Sequence, residues 1–287
     1  MPTSNPALND KIFARETGAS AEELRPGWAS PNEADAATAA APLPTPAPDT
    51  VSPWTPYQPP TTHLDTMRVG GVLSASAVLL VLLVGAGYFG WQATTATPER
   101  IEFPGWFWLA LFGGLGVAFL TIFRPKLARF TAPAYALLEG LLVGSISKVY
   151  DAQFNGIVLQ AVALSIGVFV LMLFLYATRI IRVTDKLRMG IVAATGAVLL
   201  VYVLDLVVRM FGGDIGFVHD GGLFGIVFSL AVIGIAAFNF LLDFDVIERG
   251  VAAGAPRYME WYGAFGLLVT LVWLYLEMLR LLARLRR

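Results

Sequence analysis

"GLFGIVFSLAVIGIAAFNFLLDFDVIERG", residues 222–250, decides the fold. Its first twenty or so residues carry no ionisable side chain, and its end holds Asp243, Asp245, Glu248 and Arg249. A helix rises about 1.5 Å per residue, so about twenty apolar residues cross a hydrocarbon core of about 30 Å. The run therefore predicts a membrane-spanning helix that finishes on acids at the membrane surface.

Working outward, the same pattern recurs. The 287 residues have a mean hydropathy of +0.67 and only 14% charged side chains, against roughly 25% in soluble domains. Seven spans are expected, near 70–91, 105–124, 131–149, 156–178, 189–210, 222–242 and 261–282. The third is the least apolar, because "YALLEGLLVGSISKVY" carries Glu139, Ser145, Ser147 and Lys148. Glycines in "FGGLGVAF" and "EGLLVG" suit close approach of helix backbones in a membrane. The expected fold is an all-α integral membrane protein, a seven-helix bundle over residues 67–287.

Residues 1–66 differ. Twelve of the 17 prolines lie there, among alanine, serine and threonine. Such a segment cannot bury enough apolar surface to offset its ordering entropy, so a disordered cytoplasmic tail is expected. It lacks a basic stretch followed by an apolar core and does not read as a signal peptide. A net charge of −1 speaks against a strongly basic nucleic-acid binder. With no cysteine, disulfides and thiolate chemistry are excluded, and His63 and His219 both fall outside the spans. No cofactor is expected. The expected partners are the lipid bilayer and, through the tail, other membrane proteins.

Basic residues set the orientation. Arg124, Lys126, Arg129, Arg179, Arg182, Lys186, Arg188, Arg249 and Arg257 fall in one set of connections; Arg100, Lys148 and Arg209 fall in the other. This predicts a cytoplasmic N-terminus in the cell membrane. The closing "RLLARLRR" runs against the rule if the seventh span crosses fully.

Ionisable groups in a span are costly, about 2.5–3.5 kcal/mol on insertion scales, and point to a partner or a task. Four carboxylates qualify: Glu139, Asp205, Asp243 and Glu277. Counted from the cytoplasmic ends, Glu139 lies about 12 Å deep, Glu277 about 24 Å and Asp205 about 25 Å. Asp243 sits near the cytoplasmic end of its span, so Glu139 is its candidate neighbour. Asp243 and Asp245 lie about 200° apart on a helix, so only one can face the bundle. Asn239, four residues before Asp243, shares its face and suggests that Asp243 turns inward. Asp245 with Arg249, Asp205 with Arg209 and Glu277 with Arg280 also admit plain ion pairing within one helix.

The motifs "DFDVIERG", "EGLLVGSIS" and "GLLVTLVWLYLEMLRLL" make the chain similar to the Bax inhibitor-one/YccA family, particularly its actinobacterial branch. The resemblance covers about residues 100–287 well. It implies seven helices, six surrounding the last. It also implies a pH-dependent calcium leak gated by two aspartates, on the sixth and seventh helices, and an arginine on the second. The first aspartate falls on Asp243 and the arginine on Arg124 of "TIFRPKLAR". The second aspartate's place falls on Thr270, or on Glu277 in another register. Glu139 is then the candidate second carboxylate. Two neighbouring carboxylates beside Arg124 would form a proton switch. Asp243 and Glu139 would also make a weak, transient calcium site of hard oxygen ligands.

Two other classes compete. A non-transporting regulator or scaffold would act through the proline-rich tail. An intramembrane enzyme would need a base beside a nucleophile, and no span contains histidine; no enzyme is expected.

Overall fold

Each of the seven apolar runs is a helix in the computed structural model, which describes residues 66–97, 99–212 and 222–286. They are α1 (Val69–Ala93), α2 (Phe107–Phe123), α3 (Ala128–Gln153), α4 (Ile157–Ala177), α5 (Asp185–Met210), α6 (Leu223–Ala252) and α7 (Met259–Leu285). Six are long and apolar enough to cross a membrane; α2, at 17 residues, is shorter. At about 26 Å it lies at the low end of the spanning range. The expected tail and both histidines lie outside the described residues.

α3 runs well beyond the expected 131–149, and its polar side chains show why it is not interrupted. Ser145 Oγ donates to Leu141 O (2.9 Å) and Ser147 Oγ to Val143 O (2.6 Å). Each hydroxyl is thus satisfied one turn back on its own helix. Between α1 and α2 lies a small hairpin, β1 (Thr95–Ala96) and β2 (Ile101–Glu102), paired antiparallel. A 3₁₀ turn, Pro125–Leu127, reverses the chain into α3, and the Thr121 and Thr131 hydroxyls meet across it at 2.8 Å.

α7 is the centre. α1, α3, α4 and α6 pack on it, while α2 packs on α3 and α5 on α6. Over the apolar window of α7, 56% of residues are buried, against 17% in α1, α4 and α5. The expected ring of six around the last helix is therefore corrected to four. α2 and α5 form an outer layer, and α5 reaches α7 through Tyr202, which meets Glu277 and Arg280.

The most extensive helix–helix seam joins α1 to α3. A Cβ on Gly144 would collide with the backbone of Gly87, and one on Gly140 with the backbone of Leu83. Bare glycine lets these two backbones touch. On the outside, Val81, Leu109, Phe123 and Leu159 are more than 70% exposed. An apolar exterior of this kind is at home in hydrocarbon.

The two ends of the bundle are tied separately. Near the start of α1, Met67 N–H donates to Ala255 O (2.7 Å) in the α6–α7 connection. At the other end, Arg286 donates to Asn155 O (3.0 Å) and Gln160 Oε1 (2.7 Å). α7 thus passes from one end of the bundle to the other. Of the arginines that run against the charge rule, Arg284 is held by the protein: it is buried and donates to Gly225 O and to Ser229 Oγ (2.6 Å).

Candidate functional site

The acids of "DFDVIERG" separate around α6 as the helical period requires. Asp243 turns to α7, where its Oδ2 accepts a 2.7 Å hydrogen bond from the Thr270 hydroxyl. Four residues before Thr270, Gly266 also faces the carboxylate: a Cβ there would make ordinary van der Waals contact with Asp243 Oδ1 at 3.5 Å. Asp245 turns to α5, pairing with Arg188 at 2.7 Å and with Arg249 on its own helix. Glu248 takes Tyr176 and Arg179, from the end of α4 and the turn after it. Both outer acids are neutralised by arginines. Among the described residues Asp243 has no ion pair, and Thr270 is its one hydrogen-bonding side chain.

Asn239 does not share that orientation. Its Nδ2 donates to Thr195 Oγ1 of α5 (2.8 Å) and to Ile235 O (2.8 Å). The offset of about 40° between positions i and i+4 is enough to send one side chain to α5 and the other to α7.

The expected trio of Asp243, Glu139 and Arg124 is not assembled. Glu139 lies on the face of α3 that meets α2, beside Tyr135 and Gly114. α3 and α6 each pack on α7 but hardly on one another, so equal depth does not bring their carboxylates together. Arg124 ends α2 in the outer layer, exposed, with no side-chain partner among the described residues. Equal depth implies proximity only in a single shell of helices, whereas α7 stands between these two.

Two further carboxylates are held in ion pairs. Asp205 meets Arg209 at 3.2 Å. Glu277, 2% exposed, accepts from Arg280 (3.0 Å) and from the Tyr202 hydroxyl of α5 (2.8 Å). Tyr202 also accepts from Arg280 at 2.5 Å, closing a three-membered cluster. The pairing of Glu277 with Arg280 was visible as i, i+3 spacing, but Tyr202 was not. Glu260 was also missed: buried in the first turn of α7, it accepts the backbone N–H of Arg68 at 3.0 Å. An acid in a first turn is a local signal, but its partner, 192 residues away, is not.

What the seam can do follows from its donors. An ionised carboxylate held in a half-buried helix seam without a counter-charge is costly, and a proton, or a cation with water, relieves that cost. The Asp243 carboxylate and Thr270 hydroxyl are hard oxygen donors suited to calcium, but two groups fall far short of the six to eight ligands of a resident ion. No cluster of three or more His, Cys, Asp or Glu side chains occurs among the described residues.

Among curated proteins and solved structures none matches the chain. The sequence model of the family described as Bax inhibitor 1 like matches residues 5–287. Seven helices with the last one central, matched along almost their whole length, place this chain in the Bax inhibitor 1 like family of integral membrane proteins.

Proposed function

We propose that the protein is a pH-sensitive cation leak pathway, with calcium as the favoured ion and the Asp243–Thr270 contact as its closed gate. The supporting observation is the unpaired Asp243 carboxylate, pressed into the α6–α7 seam while its neighbours Asp245 and Glu248 are neutralised. With the proton on, the carboxyl sits in the seam at little cost. With the proton off, the charge draws in water and a cation, which separates α6 from α7 and tilts a two-state equilibrium. Passive movement of this kind needs no cofactor and no catalytic residue. We place the protein in the plasma membrane with the acidic end of α6 toward the cytoplasm, as the basic connections favour.

Purified full-length protein in liposomes, loaded with a calcium-sensitive dye and measured across a pH series, tests the proposal. Wild type should leak calcium in a pH-dependent way, and Asp243→Asn should leak at a rate that no longer follows pH. Wild-type flux no greater than that of empty liposomes would end the proposal. It would leave the regulator that acts through residues 1–66.

A further inference from the structure

A cavity of about 630 Å³, to which α6 contributes no lining residue, opens between α1 and α4, with α3 and α7 as its floor. α1 and α4 flank it without packing on each other to any extent. Its mouth lies between lipid-facing side chains: Val84 is 66% exposed, Tyr88 67% and Ile166 53%. Its lining is almost wholly apolar, and the Ser147 and Tyr275 hydroxyls in the floor satisfy each other at 2.6 Å.

One end of the cavity is different. There Tyr88 and Gln92 are hydrogen-bonded at 3.0 Å, and just outside the lining Lys148 holds its ammonium 5.0 Å from the centre of the ring of Trp91, a lining residue. Lys148 makes no ion pair among the described residues and stands five residues before the end of α3, about 8 Å along the axis. Trp91 is two residues from the end of α1. A tryptophan and a lysine at this height belong to the interfacial belt of a membrane protein. From Leu80 to Gln92 the lining extends about 18 Å along α1, close to the depth of one leaflet of a core about 30 Å thick.

We infer that this cleft is a binding site for one anionic phospholipid, with an acyl chain between α1 and α4 and the headgroup at Lys148. The occupant follows from the walls. An apolar void gains nothing from water, its lining lacks dispersion partners while empty, and its mouth faces hydrocarbon. The cation at the interfacial end selects a negative headgroup by charge complementarity. A volume of this size lies within the range of about 300–1,000 Å³ for specific ligand sites. The site does not depend on the calcium reading of the α6–α7 seam.

Native mass spectrometry of the purified full-length chain, titrated with phosphatidylglycerol or phosphatidylcholine, tests the assignment. One lipid should be retained per chain, with phosphatidylglycerol held about fivefold more tightly. That is the about 1 kcal/mol of one lysine near a membrane surface, at 1.4 kcal/mol per tenfold. Val162→Trp, which fills the mouth from α4, should abolish the saturable site while helical circular dichroism is unchanged. Lys148→Gln, at the interfacial rim, should keep the site and equalise the two lipids. Adducts that never saturate in wild type, or a headgroup preference untouched by Lys148→Gln, would overturn it. So would a crosslink from the cleft to residues 1–65, or a dimer dissociated by Val162→Trp, which would give the cleft to the protein's own chain.

Discussion

Thr270 occupies the position facing Asp243 across the α6–α7 seam, and its hydroxyl donates to the carboxylate at 2.7 Å. In the closed seam the carboxyl carries its proton, and a hydrogen bond between neutral groups is worth about 0.5–1.5 kcal/mol, so this contact is one part of what holds the seam closed. Thr270→Val keeps the shape and removes the donor; it should raise calcium flux about tenfold, the equivalent of about 1.4 kcal/mol. Thr270→Ser restores a hydroxyl and should behave as wild type. Dye-loaded proteoliposomes read both, and equal flux from the Val and Ser variants would remove Thr270 from the gate. The Glu277 cluster has a different task. Glu277 is 2% exposed and faces Arg280, whose side chain is 35% exposed. Glu277→Gln leaves Arg280 without its counter-charge and should cost about 3 kcal/mol, at the low end for a broken buried pair because Arg280 is partly solvated. Tyr202→Phe removes a hydroxyl bonded to both charged groups but leaves the ion pair in place, and should cost about 1.5 kcal/mol, the low end for a hydrogen bond to a charged group. Thermal unfolding in detergent separates the two, and a larger loss from Tyr202→Phe would mean that the link from α5 to α7, and not the ion pair within α7, carries the stability of the cluster.

Among the helices, the α1–α3 seam depends most strictly on residue size. Gly144→Ala drives a methyl into the backbone of Gly87, which cannot move aside as a side chain would. Overpacking typically costs about 1–3 kcal/mol, and the melting temperature should fall accordingly. Gly167 on α4 has nothing within 4 Å of its missing Cβ. Gly167→Ala should instead stabilise the protein, since glycine in a helix interior is about 0.5–1 kcal/mol worse than alanine. Opposite signs from the same substitution are the measurement; equal shifts would mean the seam is loose. The helices themselves were legible because hydropathy is a local property, and all seven expected runs are helices. Which helix stands beside which is not local. Glu139 and Asp243 fall at similar depth by counting, yet α7 lies between their helices, and nothing in either segment marks that interposition. Asp245 and Arg249 were legible at i, i+4 spacing, whereas Arg188, which completes their cluster from the first turn of α5, was not.

At the scale of the whole molecule, alternation of seven helices fixes which connections share a face. The start of α1 is bonded to the α6–α7 connection through Met67 and Ala255. The α4–α5 connection reaches the same end of α6, through Arg179 and Glu248. The end of α7 meets the α3–α4 connection through Arg286 and Asn155. Because the chain contains no cysteine, single cysteines report these faces without background. Arg182→Cys and Arg257→Cys should be shielded from a membrane-impermeant thiol reagent in intact cells and react once the cells are opened. Arg100→Cys and Asn155→Cys should react in intact cells. Inverted labelling of all four would keep the bundle and reverse its orientation, placing the Asp243 end outside and making external pH the variable that acts on the seam. Arg182→Cys and Arg257→Cys labelling from opposite sides would contradict the bundle itself, because both adjoin the end of α6 that carries Asp245 and Glu248. The charge rule and the contacts that tie the bundle ends together are independent, so agreement between them would fix both the fold and the compartment whose protons reach Asp243.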